Sequence, residues 1–280
     1  MKITILKPYG WCFGVANAIK TIKIIKKKHP NQKIYLIGRL VHNEHLIQQI
    51  KSNNIIFLND DSHSRIDLLK KIKNKQAVIV FSAHGSPINA LSYAKTHFNF
   101  VYDLTCRYIN NNVKLVKKLL SLNYKVIYFG KKHHPETNAI LSLNKAIQLA
   151  EDKANIVTNN KHKYALVNQS TIPIFDIPLL NDNIKIFNTT CKVVQNRYDN
   201  VKKLKNVDLL IIIGDIHSNN SNQLINLAKL KKIPVKLIEN EKNIKTTLFD
   251  KVNHLAIASG TSVEPTLVTN IIKKIKTTMK

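Results

Sequence analysis

Phe100-Val101-Tyr102-Asp103-Leu104-Thr105-Cys106, continued by Ile109, Val113, Val116 and Leu120, is the stretch whose reading decides the fold. Its first half reads as a short strand, a brief run rich in aromatic and branched residues. Its second half sets apolar residues three and four apart, the period of an amphipathic helix. The cysteine stands at the junction, and the junction occurs twice more. Upstream, Lys2-Ile3-Thr4-Ile5-Leu6 leads through Gly10-Trp11 to Cys12 and on to Val15, Ile19 and Ile22. Downstream, Ile184-Lys185-Ile186-Phe187-Asn188-Thr189-Thr190 leads to Cys191 and on to Val194, Tyr198, Val201 and Leu204. The cysteines are 94 and 85 residues apart. That near-regular interval marks an internal repeat.

Two further units recur in step with the cysteines. Lys33-Ile34-Tyr35-Leu36-Ile37-Gly38, Lys125-Val126-Ile127-Tyr128-Phe129-Gly130 and Leu209-Leu210-Ile211-Ile212-Ile213-Gly214 end in glycines 26, 24 and 23 residues after the respective cysteine. Each glycine opens a polar stretch: Arg39 to Asn43, His133 to Asn138, and His217 to Asn222. Later strands end in Ser82-Ala83-His84-Gly85-Ser86-Pro87, in Asn168-Gln169-Ser170-Thr171-Ile172-Pro173 and in Ser259-Gly260-Thr261-Ser262-Val263-Glu264-Pro265. Short apolar runs alternating with helical periods predict βαβ units and parallel sheets. The expected fold is therefore α/β, with three similar lobes at residues 1–105, 106–190 and 191–280. Ligands of open α/β sheets sit beyond the carboxyl ends of the strands, where this chain carries its Cys, His, Ser, Thr, Asn and Glu. Nine such ends facing one another in pseudo-threefold fashion would enclose a polar cavity with a metal at its base.

A thiol at a helix N-terminus feels unpaired backbone N–H groups and the positive end of the helix dipole, which favours thiolate. Three such thiolates are soft metal ligands. An odd cysteine count with no close pair argues against a disulfide framework and for a reducing compartment. No apolar run approaches the roughly 20 residues needed to span a bilayer. The sequence is read as that of a cytoplasmic protein with no membrane segment, and an organelle stroma of endosymbiotic origin is the alternative. A net charge of +27 over 280 residues invites a nucleic-acid reading. Only four of the 44 basic residues are arginines (Arg39, Arg65, Arg107 and Arg197), and the lysines are spread over the whole chain. Nucleic-acid footprints are clustered and lean on arginine for bidentate contacts, so specific nucleic-acid binding is not expected. The charge would still favour anionic substrates or an acidic protein partner.

Gly10-Trp11-Cys12-Phe13-Gly14-Val15, Val41-His42-Asn43, Phe81-Ser82-Ala83-His84-Gly85, His134-Pro135-Glu136, Ser218-Asn219-Asn220-Ser221-Asn222 and Gly260-Thr261-Ser262 occur in that order. Together they resemble the 4-hydroxy-3-methylbut-2-enyl diphosphate reductases, the terminal enzymes of the methylerythritol phosphate route to isoprenoids, over about residues 1–275. The resemblance implies a 4Fe–4S cluster on Cys12, Cys106 and Cys191, with one iron free of protein ligands. It implies reductive removal of the allylic hydroxyl of the substrate, giving isopentenyl and dimethylallyl diphosphates. It implies diphosphate binding by His42, His84, Ser218, Asn220 and Ser262, with Asn219 beside them. His134 would contact substrate and aid proton delivery. Glu136 would be the proton source, and Ser170, with Thr171 next to it, would relay to the leaving group. No Gly-x-Gly-x-x-Gly follows a strand, so a ferredoxin or flavodoxin is the expected electron donor.

Some positions depart from the family pattern. Arg107 replaces a common proline, Asn219 a common serine, and Ser170 a threonine; the stretch after Glu136 reads Thr137-Asn138-Ala139. His45, His133 and His217 read as surface histidines, Asn43 and Asn222 as helix-cap or loop residues, Glu264 as a helix-start residue, and Trp11 as apolar cover for Cys12. Rival readings are another three-cysteine 4Fe–4S enzyme of trilobed build such as quinolinate synthase, and a structural zinc protein. The first calls for arginines to bind dicarboxylates, and the second normally takes a fourth protein ligand.

Overall fold

The computed structural model describes residues 2–39, 50, 54–59, 63–180 and 183–278. Val41, His42, Asn43 and His45 therefore lie outside the described residues. Among those described, three four-stranded sheets form, parallel throughout. The first holds β2 (Ile34–Ile37), β3 (Ile55–Leu58), β4 (Val78–Phe81) and β5 (Phe100–Asp103) in the order β3-β2-β4-β5. The second holds β6 (Lys125–Phe129), β7 (Gln148–Ala150), β8 (Tyr164–Asn168) and β9 (Ile184–Phe187) in the order β7-β6-β8-β9. The third holds β10 (Leu209–Ile213), β11 (Val235–Ile238) and β12 (His254–Ser259), with β1 (Lys2–Ile5) at its edge, in the order β1-β12-β10-β11.

Three sheets with one strand order confirm the α/β fold of repeated lobes. The repeat also explains a difference from the sequence reading, which placed β1 in the lobe 1–105. Each cysteine follows a strand that completes the sheet behind it: β5 pairs with β4 before Cys106, β9 with β8 before Cys191, and β1 with β12 before Cys12. Ile3 and Ile5 pack on the cluster of Ile211, Leu255 and Ile257, so β1 buries its apolar residues at the C-terminal sheet.

The chain divides into two compact units. One contains the third sheet and is built from the described residues of 1–16 and 192–280; the other contains the first two sheets and is built from those of 17–40 and 48–191. In each sheet the middle of the central strands is apolar, as strands covered on both faces must be. Val78 to Phe81 and Leu210 to Ile213 are fully buried. The covering helices are α1 (Phe13–Lys28), α2 (Arg65–Lys70), α3 (Ile88–His97), α4 (Arg107–Ser121), α5 (Pro135–Leu141), α6 (Lys192–Lys202), α7 (Asn219–Leu230) and α8 (Pro265–Thr278). Their buried stripes follow helical spacing, as in Val268, Ile271, Ile272 and Ile275 of α8. Among the described residues no helix is long and apolar enough to cross a membrane.

The strand order puts a topological switch point between β2 and β4, between β6 and β8, and between β10 and β12. A crevice opens at the carboxyl ends of such strand pairs. Gly38, Gly130 and Gly214 follow the first member of each pair. Ser82-Ala83-His84, Gln169-Ser170-Thr171 and Gly260-Thr261-Ser262 follow the second.

Candidate active site

Backbone hydrogen bonds fix these loops in three equivalent ways. The N–H groups of Ser82, Gln169 and Gly260 donate to the carbonyls of Ile37, Phe129 and Ile213, at 3.1, 2.8 and 2.8 Å. The next loop residue then receives a cysteine N–H. Cys106 donates to the Ala83 carbonyl (2.9 Å), Cys191 to that of Ser170 (2.8 Å) and Cys12 to that of Thr261 (2.8 Å). Every cysteine is thereby tied to the polar loop of the sheet its own strand completes. All three are free thiols of intermediate exposure. Cys106 is the N-cap of α4, and Cys12 and Cys191 immediately precede α1 and α6. Arg107, in place of the family's usual proline, is the first residue of α4, and the helix starts where it was expected to.

Cys106 and Cys191 belong to one unit and Cys12 to the other. Among the described residues no group of three or more His, Cys, Asp or Glu side chains gathers as a metal site. The donor set nevertheless fits an iron–sulfur cluster by type and number. Three free thiols occupy equivalent helix starts, and thiolates are the ligands that hold such clusters.

Within the larger unit the polar loops converge on Glu136. His134 is the N-cap of α5, its ring Nδ1 accepting from the Glu136 N–H at 3.2 Å, and Pro135 presets the first turn. Glu136, one residue into the helix, is fully buried. Ser170 holds it twice: its N–H donates to Oε1 at 2.9 Å and its hydroxyl to Oε2 at 2.7 Å. Asn112 of α4 donates to Oε1 at 3.0 Å. Burial raises the Glu136 pKa, because desolvation penalises the carboxylate; the bonds from Ser170 and Asn112, and the Tyr128 hydroxyl facing it, pull the other way and only partly offset it. A carboxyl that keeps its proton above the ordinary range, bonded to a hydroxyl, can act as a general acid.

His84 is half-buried, with its Nδ1 3.0 Å from the Arg39 carbonyl. Gly85 beside it has φ +90°, and a Cβ there would lie 3.1 Å from Ile109 and 3.3 Å from Ala139. Only glycine lets this loop seat against α4 and α5. Thr171 accepts from the Gln169 amide at 2.6 Å, so its hydroxyl is partly committed to ordering the loop. Asn168 and Thr189 brace the same loop through three bonds.

The smaller unit carries the remaining candidates. Ser218 is the N-cap of α7, its hydroxyl accepting from Ser221 N–H. Asn219 and Asn220 form the first turn, and the Asn220 amide donates to the Thr261 hydroxyl at 2.7 Å. Ser262 follows directly and is buried. A first turn flanked by hydroxyls and amides is suited to an anion. The Ser221 hydroxyl fills the space beside Gly214 and Gly260, and a Cβ on either glycine would collide with it. Asn222 ties the loop by donating to the Ile216 carbonyl at 2.6 Å, and His133 and His217 are exposed, as the sequence indicated.

Sequence reasoning overlooked three buried polar residues that hold these loops. Arg197 of α6 donates to the carbonyls of Gly10, Ser259 and Gly260. Arg65 of α2 donates to the Gly85 carbonyl and the Ser86 hydroxyl. Asn112 is the third. A usable signal existed: Asn112 interrupts the apolar stripe of α4 and Arg197 that of α6. Two of only four arginines in a lysine-rich chain serve as buried carbonyl clamps.

Comparison with known proteins gives the same picture. The LytB protein family matches residues 3–276. A 4-hydroxy-3-methylbut-2-enyl diphosphate reductase of Malacoplasma penetrans is 37% identical over 97% of this chain and 96% of its own length. One from Symbiobacterium thermophilum is 30% identical over 97% and 95%. The solved structure of the E-1-hydroxy-2-methyl-but-2-enyl-4-diphosphate reductase from Plasmodium falciparum superposes with a TM-score of 0.87 at 22% identity, covering 97% of this chain and 87% of that one. A second solved structure, an (E)-4-hydroxy-3-methyl-but-2-enyl diphosphate reductase, gives a TM-score of 0.66 at 24% identity.

Proposed function

This chain belongs to the LytB protein family, and from that premise we propose that it removes the allylic hydroxyl of 4-hydroxy-3-methylbut-2-enyl diphosphate to give isopentenyl and dimethylallyl diphosphates. The C–O bond breaks, the oxygen leaves as water, and two electrons and two protons enter. The observation that carries the reading is the buried Glu136 carboxyl bonded to the hydroxyl of Ser170, whose carbonyl accepts the Cys191 N–H.

Cys12, Cys106 and Cys191 would hold a 4Fe–4S cluster. Bound there, it supplies the electrons and, at an iron without a thiolate, a Lewis acid for the hydroxyl oxygen. The chain's own residues do the rest. His42, His84, Ser218, Asn219, Asn220 and Ser262 would donate to the diphosphate oxygens, and the histidines strengthen those bonds when charged. Glu136 holds the proton at a carboxyl oxygen shielded from water. Ser170 accepts it at Oγ while giving its own proton outward, so a single hydroxyl rotation moves a proton to the leaving group. His134, whose Nδ1 accepts from the Glu136 N–H, would contact substrate and aid proton delivery, with Thr171 next to Ser170 in the chain. Electrons would come from a ferredoxin or flavodoxin, whose acidic surface suits a chain of net charge +27. The cytoplasm is the expected compartment.

The test is anaerobic turnover. Protein reconstituted with iron and sulfide, given the allylic alcohol diphosphate, dithionite and a viologen mediator, should yield both five-carbon diphosphates. Unconsumed substrate in the presence of a full iron complement would overturn the proposal.

A further inference from the structure

The Glu136 carboxyl receives more donors than its relay to Ser170 requires. Ser170 satisfies both oxygens alone, through N–H to Oε1 and O–H to Oε2. Asn112, itself buried, adds a bond to Oε1 at 3.0 Å from α4 and reaches the Asn168 carbonyl at 3.4 Å. From β6, the fully buried Tyr128 hydroxyl faces the same carboxyl and Asn112, short of a hydrogen bond of ordinary geometry to either. Gly130 makes room for that ring: a Cβ there would lie 2.9 Å from Tyr128 Cε1.

The repeat shows that the Asn112 position is a slot with a defined reach. Asn112 lies six residues after Cys106, and Arg197 lies six residues after Cys191. Each extends from its helix to carbonyls at the end of the sheet's third strand, Arg197 to Ser259 and the following Gly260, and Asn112 to Asn168. A guanidinium in the second lobe would place a fixed cation against Glu136 and hold it ionised. An amide offers the donor without the charge. Among the described residues the other groups facing Glu136 are Tyr128 from β6, Ser170 from the loop after β8, and His134, the N-cap of its helix, whose Nδ1 accepts from the Glu136 N–H.

We propose that Asn112, with the buried Tyr128 hydroxyl beside it, is a positioning residue for the Glu136 acid: an uncharged amide donor that fixes its carboxyl against Ser170 and sets how readily it releases a proton. The assignment rests on the reading of Glu136 as proton donor. It deepens that reading by naming which residues outside the substrate's reach tune it.

The experiment is a direct titration of Glu136 by ¹³C NMR in protein labelled at the glutamate carboxyl carbon, with the signal assigned by its loss in Glu136→Gln. Asn112→Leu and Tyr128→Phe are compared with the parent, alongside the pH profile of turnover. Removing the Asn112 donor should raise the Glu136 midpoint by about one pH unit, since a hydrogen bond to a charged group is worth about that much, and removing the Tyr128 hydroxyl should move it in the same direction. The alkaline limb of turnover should move up by the same amount. If Asn112→Leu fails to fold, Tyr128→Phe carries the test alone. Unmoved midpoints with an inactive Glu136→Gln would overturn the positioning role and leave the acid in place. Turnover at the parent rate in Glu136→Gln would remove the acid, and this role with it.

Discussion

Consider Ser170→Ala, which deletes one hydroxyl and nothing else. The Ser170 N–H bond to Oε1 at 2.9 Å survives, because it belongs to the backbone; the Oγ–H bond to Oε2 at 2.7 Å does not. A hydrogen bond to an ionised, buried group is worth about 1.5–3 kcal/mol. Its loss should raise the Glu136 pKa further, by about one to two units at 1.36 kcal/mol each. The acid would then hold its proton more firmly while losing the hydroxyl that passes it on. General acid catalysis is commonly worth about 10²–10⁴ in rate, so kcat should fall at least about 100-fold. Single-turnover measurements on reconstituted protein, with the iron content matched to the parent, isolate this from cluster loss. Ser170→Thr keeps the hydroxyl and should stay within about tenfold of the parent. If Ser170→Ala turns over within about threefold of the parent, the Glu136–Ser170 relay is refuted and the proton travels by another route.

Other consequences are equally open to measurement. Glu136→Gln should keep the cluster absorbance and lose most turnover. It should also change the pH dependence of stability. A buried carboxyl with a raised pKa stabilises the fold fully below its unfolded value, and that contribution is lost as pH rises through the folded value. The melting temperature of Glu136→Gln should therefore gain on the parent as pH rises above the ordinary 4.5, then level off; a gap that is constant with pH would contradict the burial argument. Cys106→Ser should give protein with little acid-labile sulfide or with a cluster lost within minutes in air, and a stable full cluster would remove Cys106 from the ligand set. Gly85→Ala should cost more than about 1 kcal/mol in chemical denaturation, from its φ of +90° and the Cβ contacts with Ile109 and Ala139; an unchanged midpoint would show that the loop can re-seat.

Much of this was legible in the sequence for a physical reason: parallel sheets covered on both faces demand unbroken apolar runs, and those runs ended at the same residue types three times over. The lobes and the helix starts at the cysteines followed from that regularity, whereas Glu136 and Ser170 were singled out only by the family resemblance. The membership of β1 did not, because a strand four residues long carries no mark of which sheet it will join. Its counterparts β5 and β9 held the clue in their position before a cysteine. Asn112, Arg65, Arg197 and Tyr128 escaped notice because composition and motifs emphasise residues at loop tips. Their work is done from within apolar stripes, where one polar side chain reaches back to satisfy carbonyls or a carboxyl.

The claim on which the account rests is that three equivalent cysteines share one cluster and leave one iron for the substrate's oxygen. Mössbauer spectroscopy of the ⁵⁷Fe-reconstituted protein, with and without the allylic alcohol diphosphate, tests it most directly. One iron in four should be distinct from the rest, and its isomer shift should change when substrate is added. Four indistinguishable irons, unmoved by a saturating amount of substrate, would contradict it.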